Sequence, residues 1–139
     1  MRNPVVRILS AIIGAVVGFA VVSALFHEQH AKSLDENLNE VATELNKKLP
    51  MMVDDQTRLD QVSAKTGTLI YAYSLPNAMK NDLDFSSLAK IIKPKMIANY
   101  RDNETMAALR KGNVSLDYQY KDKNGDFMGE ILVTPDDFK

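Results

Sequence analysis

Apolar and polar positions divide the chain into stretches of different period. From Ile8 to Phe26 there is no period at all: 19 residues run with only Ser10 and Ser23 polar. As a helix this run spans roughly 28 Å, close to the hydrocarbon thickness of a bilayer. A helix packed in a soluble core keeps a polar face, and this one has none. The run therefore predicts a membrane-spanning helix with Ile8 and Phe26 at its ends. From Ala31 onward the period becomes helical. Ala31, Leu34, Leu38, Val41, Leu45 and Leu49 recur at three- and four-residue steps and share one face. Pro50 disfavours helix at the residue before it and sets the end. No turn signal separates this helix from the apolar run, so the two are expected to be continuous. Only about two heptads fit, fewer than a coiled coil needs. The expected use of the apolar face is packing on its own domain.

Beyond Pro50 strand and helix periods alternate. A first strand is expected near Thr57 to Ser63, and Ala64-Lys65-Thr66-Gly67 supplies a turn. Leu69, Tyr71, Tyr73 and Leu75 then alternate with Ile70, Ala72 and Ser74, a period of two that turns one set toward a core. Phe85, Leu88, Ile91, Ile92, Met96, Ile97 and Tyr100 give a helical stripe, with Asp82 or Asp84 able to cap its start. Pro94 is expected to kink or divide that helix. Asp102 or Asn103 starts a shorter helix through Leu109, which Gly112 ends in left-handed geometry. Val114, Leu116, Tyr118 and Tyr120 line one face of a further strand. Asn124-Gly125 is expected as a two-residue turn with positive φ at both positions, and Phe127 to Thr134 returns antiparallel.

The fold class predicted is α+β: an N-terminal transmembrane helix followed by a small antiparallel sheet packed against helices. The expected organisation is a transmembrane signal-anchor over residues 1–27, a juxtamembrane amphipathic helix over 28–49 and an extracytoplasmic α+β domain over 50–139.

Charge fixes an orientation. Arg2 and Arg7 lie at the N-terminal end of the apolar run, and the flank beyond Phe26, HEQHAKSLDE, carries more acid than base. The positive-inside rule places the N-terminus in the cytoplasm and the domain outside. Val22-Ser23-Ala24 offers a competing fate, cleavage after Ala24. The run is longer than the apolar part of a signal peptide, however, and retention is the expectation. Gly14 and Gly18 form the GxxxG spacing that lets two helices approach in lipid, so self-association through them is a candidate property. The whole chain balances 17 basic against 18 acidic side chains. Nucleic-acid binding needs a clustered basic surface, so none is expected.

Candidate chemistry is sparse. There is no cysteine, which removes disulfides, thiolate nucleophiles and cysteine-ligated metal. His27 and His30 are one turn apart but make an incomplete metal site. Asp122 to Asp126 has the look of a calcium loop, yet Phe127 and Val133 stand where such a loop needs Gly and a bidentate Glu. No phosphate-binding glycine pattern or nucleophile elbow occurs. Neither catalytic residue, cofactor nor metal is expected. The most suggestive group is Tyr71, Tyr73, Tyr118 and Tyr120. If their strands are neighbours they form an aromatic ladder. A sharper reading makes them a partner-binding face, since phenols give rigid contact area with a polar tip.

Thr57-Arg58-Leu59-Asp60, then Tyr71-Ala72-Tyr73, then Tyr118-Gln119-Tyr120-Lys121-Asp122 with Gly125 resemble, in this order, a group of uncharacterised small bacterial envelope proteins. These have an N-terminal hydrophobic segment and a periplasmic domain. The resemblance covers most of residues 50 to 135 and implies a bacterial envelope location. Members often carry a cysteine near the second helix and another at the C-terminus, and this chain has neither.

Together these readings predict a non-enzymatic, single-pass interaction or accessory protein. It is expected in the inner (cytoplasmic) membrane, with lipid bilayer around its anchor and a protein partner in the envelope. The alternative is an exported soluble periplasmic protein, cleaved after Ala24, acting as inhibitor or carrier.

Overall fold

The computed structural model describes residues 33 to 138. The apolar run from Ile8 to Phe26, with Gly14, Gly18 and the two histidines beyond it, lies outside these residues. Among the described residues no helix is long and apolar enough to cross a membrane.

Helix α1 (Leu34–Asn46) opens the described chain. Ser33 is extended, and its hydroxyl accepts from the Glu36 amide at 3.2 Å. This side-chain cap satisfies a free donor of the first turn. The expected continuity with the preceding run therefore stops at Ser33. The apolar face falls as its spacing predicts: Leu38, Val41 and Ala42 are buried, and Leu34, Leu45 and Leu49 pack against the same core. The helix belongs to the domain rather than bridging to it.

Five strands form one sheet in sequence order: β1 (Met51–Met52), β2 (Arg58–Lys65), β3 (Thr68–Ser74), β4 (Ser115–Lys121) and β5 (Phe127–Val133). β1–β2, β2–β3 and β4–β5 are antiparallel, but β3 and β4 pair in parallel. The expected antiparallel sheet is thus corrected to a mixed one. Alternation tells which face a residue takes, not which way the strand runs. Direction is set by the crossover from β3 to β4 through helix α2 (Phe85–Asp102) and helix α3 (Ala107–Lys111), the connection that a parallel pair requires.

Asp84 caps α2, accepting from the Ser87 amide at 3.2 Å. The helix then runs on through Pro94, so Pro94 does not divide it. Pro94 and Lys90 one turn before it are both exposed, so water can reach the carbonyl that loses its partner there. Phe85, Leu88, Ile92, Met96 and Tyr100 form the buried stripe, while Ile91 is left 46% exposed. Asn103 caps the following 3₁₀ turn. Arg110 donates to the carbonyls of Tyr100 at 2.8 Å and Asn103 at 2.7 Å, closing the end of α2. At the end of α3 the left-handed residue is Asn113 (φ 53°), not Gly112 (φ −83°).

The β4–β5 turn also differs. Lys121 pairs with Phe127, leaving a five-residue loop in which only Gly125 has positive φ (84°). Asp122 organises it. One carboxylate oxygen accepts from the Asn124 and Asp126 amides at 2.8 and 2.9 Å, and the other from the Lys80 amide at 3.0 Å. These bonds, that from Lys80 first, hold the Asp122 carboxyl below its ordinary value. A two-residue turn could not bring the loop to Lys80.

Candidate functional site

The parallel register sets Leu69, Tyr71 and Tyr73 of β3 beside Leu116, Tyr118 and Tyr120 of β4. All six are buried, because α1 and α2 cover this face of the sheet. The tyrosine rings stack across the pair: Tyr71 on Tyr118 and Tyr73 on Tyr120, both with centroids 5.2 Å apart, and Phe85 of α2 adds a ring 5.3 Å from Tyr120. Offset stacking of this kind adds to the stabilisation from burial. Burial first, then neighbouring phenols, pushes the ionisation of Tyr71 and Tyr73 far up. The phenol oxygens of Tyr73 and Tyr120 are buried and make no hydrogen bond among the described residues, and the Asp54 charge adds to the upward shift of both. The four tyrosines named from the sequence as a partner-binding face are therefore core. No part of them is open to a protein surface here, and their ladder is the form of the cluster that the structure has.

The surface feature lies one strand further on. α2 presents a second stripe beside its buried one: Ser86, Ala89, Lys90, Lys93, Pro94 and Ile97. Met128, Gly129 and Glu130 of β5, with Phe85 of α2, complete the lining of this groove of about 580 Å³. Gly129 explains how the groove is shaped. A Cβ built on it would fall 2.3 Å from the Phe85 ring, so only glycine lets α2 lie this close to β5. Ile97 and Met128 are half-buried and join the groove to the core. Lys90 makes no ion pair among the described residues. Lys93 lies 3.9 Å from Asp137, at the limit of one.

The groove runs along the edge of the sheet. β5 is the last strand and pairs only with β4 among the described residues. Phe127 and Leu132 are exposed on it, at 50% and 42%. Ile131 and Val133 of the same strand are buried. No sequence signal marked β5 as an edge, because edge position depends on strand order.

On the face of the sheet away from the helices, Asp117 is 4% exposed and accepts from the Gln119 amide at 3.1 Å. Glu130 pairs with Gln119 across β4–β5. A hydrogen bond with Asp117, then its charge, then burial raise the Glu130 carboxyl above its ordinary value, against a smaller downward pull from Lys65. Among the described residues no group of three metal-ligating side chains forms. Asp54 and Asp55 lie in the bend between β1 and β2, and Asp136 and Asp137 in a 3₁₀ turn over Pro135–Phe138. Asp54 caps its own turn through the Gln56 and Thr57 amides at 2.7 and 2.9 Å, and Asp137 caps Thr134 at 2.8 Å.

No curated protein matches the chain by sequence. Solved structures do match the fold. A Pseudomonas aeruginosa protein classed as secreted superposes with a TM-score of 0.62 at 15% identity, covering 78% of this chain and all of that one. The pilotin EpsS of the Vibrio vulnificus type 2 secretion system gives 0.61 at 11% identity, over 76% of this chain and 92% of its own. The type II secretion system pilotin AspS of Vibrio cholerae gives 0.56 at 16%, over 75% and 91%. At such identities the likeness is one of fold. Residues 33–128, from the Ser33 cap through the loop knotted by Asp122 to Met128, match the family described as "Domain of unknown function (DUF8479)", and the chain belongs to that family.

Proposed function

We propose that this protein is a non-enzymatic accessory of the bacterial envelope that binds a protein partner at the α2–β5 edge of its domain. The segment from Ile8 to Phe26 holds it in the inner membrane, with the N-terminus in the cytoplasm and the domain in the periplasm. The single observation that carries the binding reading is the groove between α2 and β5, beside a strand that pairs on one side only among the described residues. The fold shared with two pilotins and a secreted-class protein supports the envelope setting. The unbroken apolar run behind Arg2 and Arg7 supports the anchor.

Two measurements test it. Crosslinking in intact cells is expected to capture a partner through β5 or α2. A domain that stays uncrosslinked and monodisperse removes the binding reading. Protease added to spheroplasts is expected to digest the domain, and carbonate to leave the chain in the membrane. A protected or washed-off domain removes the anchored topology. The likeness to a secreted-class protein favours one second reading, release after Ala24 as a soluble inhibitor or carrier. An intact mass that begins at Leu25 would select it.

A further inference from the structure

The two edges of the sheet are treated differently. On one side β1 covers the start of β2. Where β1 stops, the Asn46 side chain takes over: its amide donates to the Val62 carbonyl at 2.7 Å and its oxygen accepts from the Val62 amide at 2.8 Å. One carboxamide thus stands in for a neighbouring strand. On the other side β5 runs for seven residues with no such cover among the described residues. Its sequence, FMGEILV, holds no Pro and no Lys, and Glu130 is its one charge. Sheets normally blunt an edge of that length, since its unpaired amides and carbonyls are a template for another strand.

Resting on the reading of this protein as a partner-binding accessory, we infer that β5 takes an extended peptide segment of a protein partner as a sixth strand. The segment carries an apolar side chain for the groove and an acidic one for Lys90 and Lys93. Main-chain hydrogen bonds supply the affinity of such additions, and alternate side chains supply the selectivity. Every second side chain of the added strand faces α2. There it meets Ala89, Ile97 and Met128 over the bare backbone of Gly129. Lys90 is exposed and has no ion pair among the described residues. The Lys93–Asp137 contact, at 3.9 Å, is weak enough for an incoming carboxylate to displace. A second copy of this chain fits worse. Glu130 is the midpoint of β5, and a two-fold antiparallel pairing centred there would set it against its own copy. Like charges directly opposite destabilise a sheet.

The test uses the full chain in mild detergent and labelled nonapeptides read by fluorescence anisotropy. One peptide carries valine and glutamate on the same alternate positions with threonine between them, so that both face α2, one has lysine for glutamate, and two carry N-methyl groups on alternate amides in the two possible registers. The glutamate peptide is expected to bind about fivefold more tightly than the lysine one. Lys90→Glu with Lys93→Glu should reverse that preference, and Lys90→Glu alone serves if the double variant fails to fold. One N-methylated register is expected to weaken binding about tenfold for each blocked amide, the other little. Equal binding by both methylated registers and the unmodified peptide, equal binding of the two charge forms, or no binding overturns strand addition. So does a dimer in sedimentation that Leu132→Asp dissolves. A partner captured in cells through α2 alone leaves the accessory function standing while this mode fails, so the two are separable.

Discussion

At the scale of single residues, two positions control the β5 side. Gly129→Ala drives a methyl into the Phe85 ring. Overpacking of this kind costs about 1–3 kcal/mol, to be seen as a lower urea midpoint, and Phe85→Leu in the same chain should recover part of it. Glu130 is the second. Its carboxyl is raised, so it binds its proton more tightly folded than unfolded. Ionisation therefore opposes folding. The associated stability is complete below the ordinary glutamate value of about 4.3 and is lost as pH rises through the folded value. Glu130→Gln is expected to raise the unfolding free energy at pH 7 by less than about 1 kcal/mol, the scale of a screened surface pair, read as a slightly higher urea midpoint, and to make no difference below about pH 4. Residue-level reading of the sequence found the four tyrosines and their ladder. It also offered them to a partner, because an alternating phenol pattern looks the same whether or not helices cover that face.

At the scale of elements, local rules were legible where a side chain acts on its own backbone. Asp84 and Asn103 cap as their positions suggest, and the α1 stripe lands on its predicted residues. Ser33 and Glu36 stand at capping-box spacing, a start signal that the lack of a turn signal between the apolar run and this helix masks. The loop after β4 departs from its two-residue signal because Asn124-Gly125 is a local pattern, whereas Asp122 reaches Lys80, 42 residues away in the chain. The Asn46 clasp has no sequence signature either: it joins residues 16 apart. Asn46→Ala would leave the Val62 amide and carbonyl without these partners. A cost of about 1–3 kcal/mol is expected for such orphaned groups, together with faster hydrogen exchange at Val62 and no change at β5.

For the whole molecule, the α+β class and the order hairpin, helix, hairpin could be read from the changes of period. The parallel centre could not, since nothing in β3 or β4 alone states their relative direction. The division at residue 50 follows the helix end that Pro50 sets, and Leu38 and Val41 before it are as deeply buried as Leu69 and Leu116. A chain starting at Met51 is therefore expected to lose cooperative urea unfolding and to bind a hydrophobic dye. One starting at Ser33 should keep a single transition. Retention of full cooperativity without α1 would show that the helix is an accessory to the core.

The side-by-side placing of β3 and β4 has a further bearing on how the protein is made. Partners such as Tyr71 and Tyr118 are separated by the whole of α2 and α3, so a growing chain halted before Ser115 holds half a ladder with nothing to stack on. Closure has to wait for the last quarter of the sequence, and such long-range pairing slows the search. Until then β3 lacks the neighbour on which its tyrosines stack.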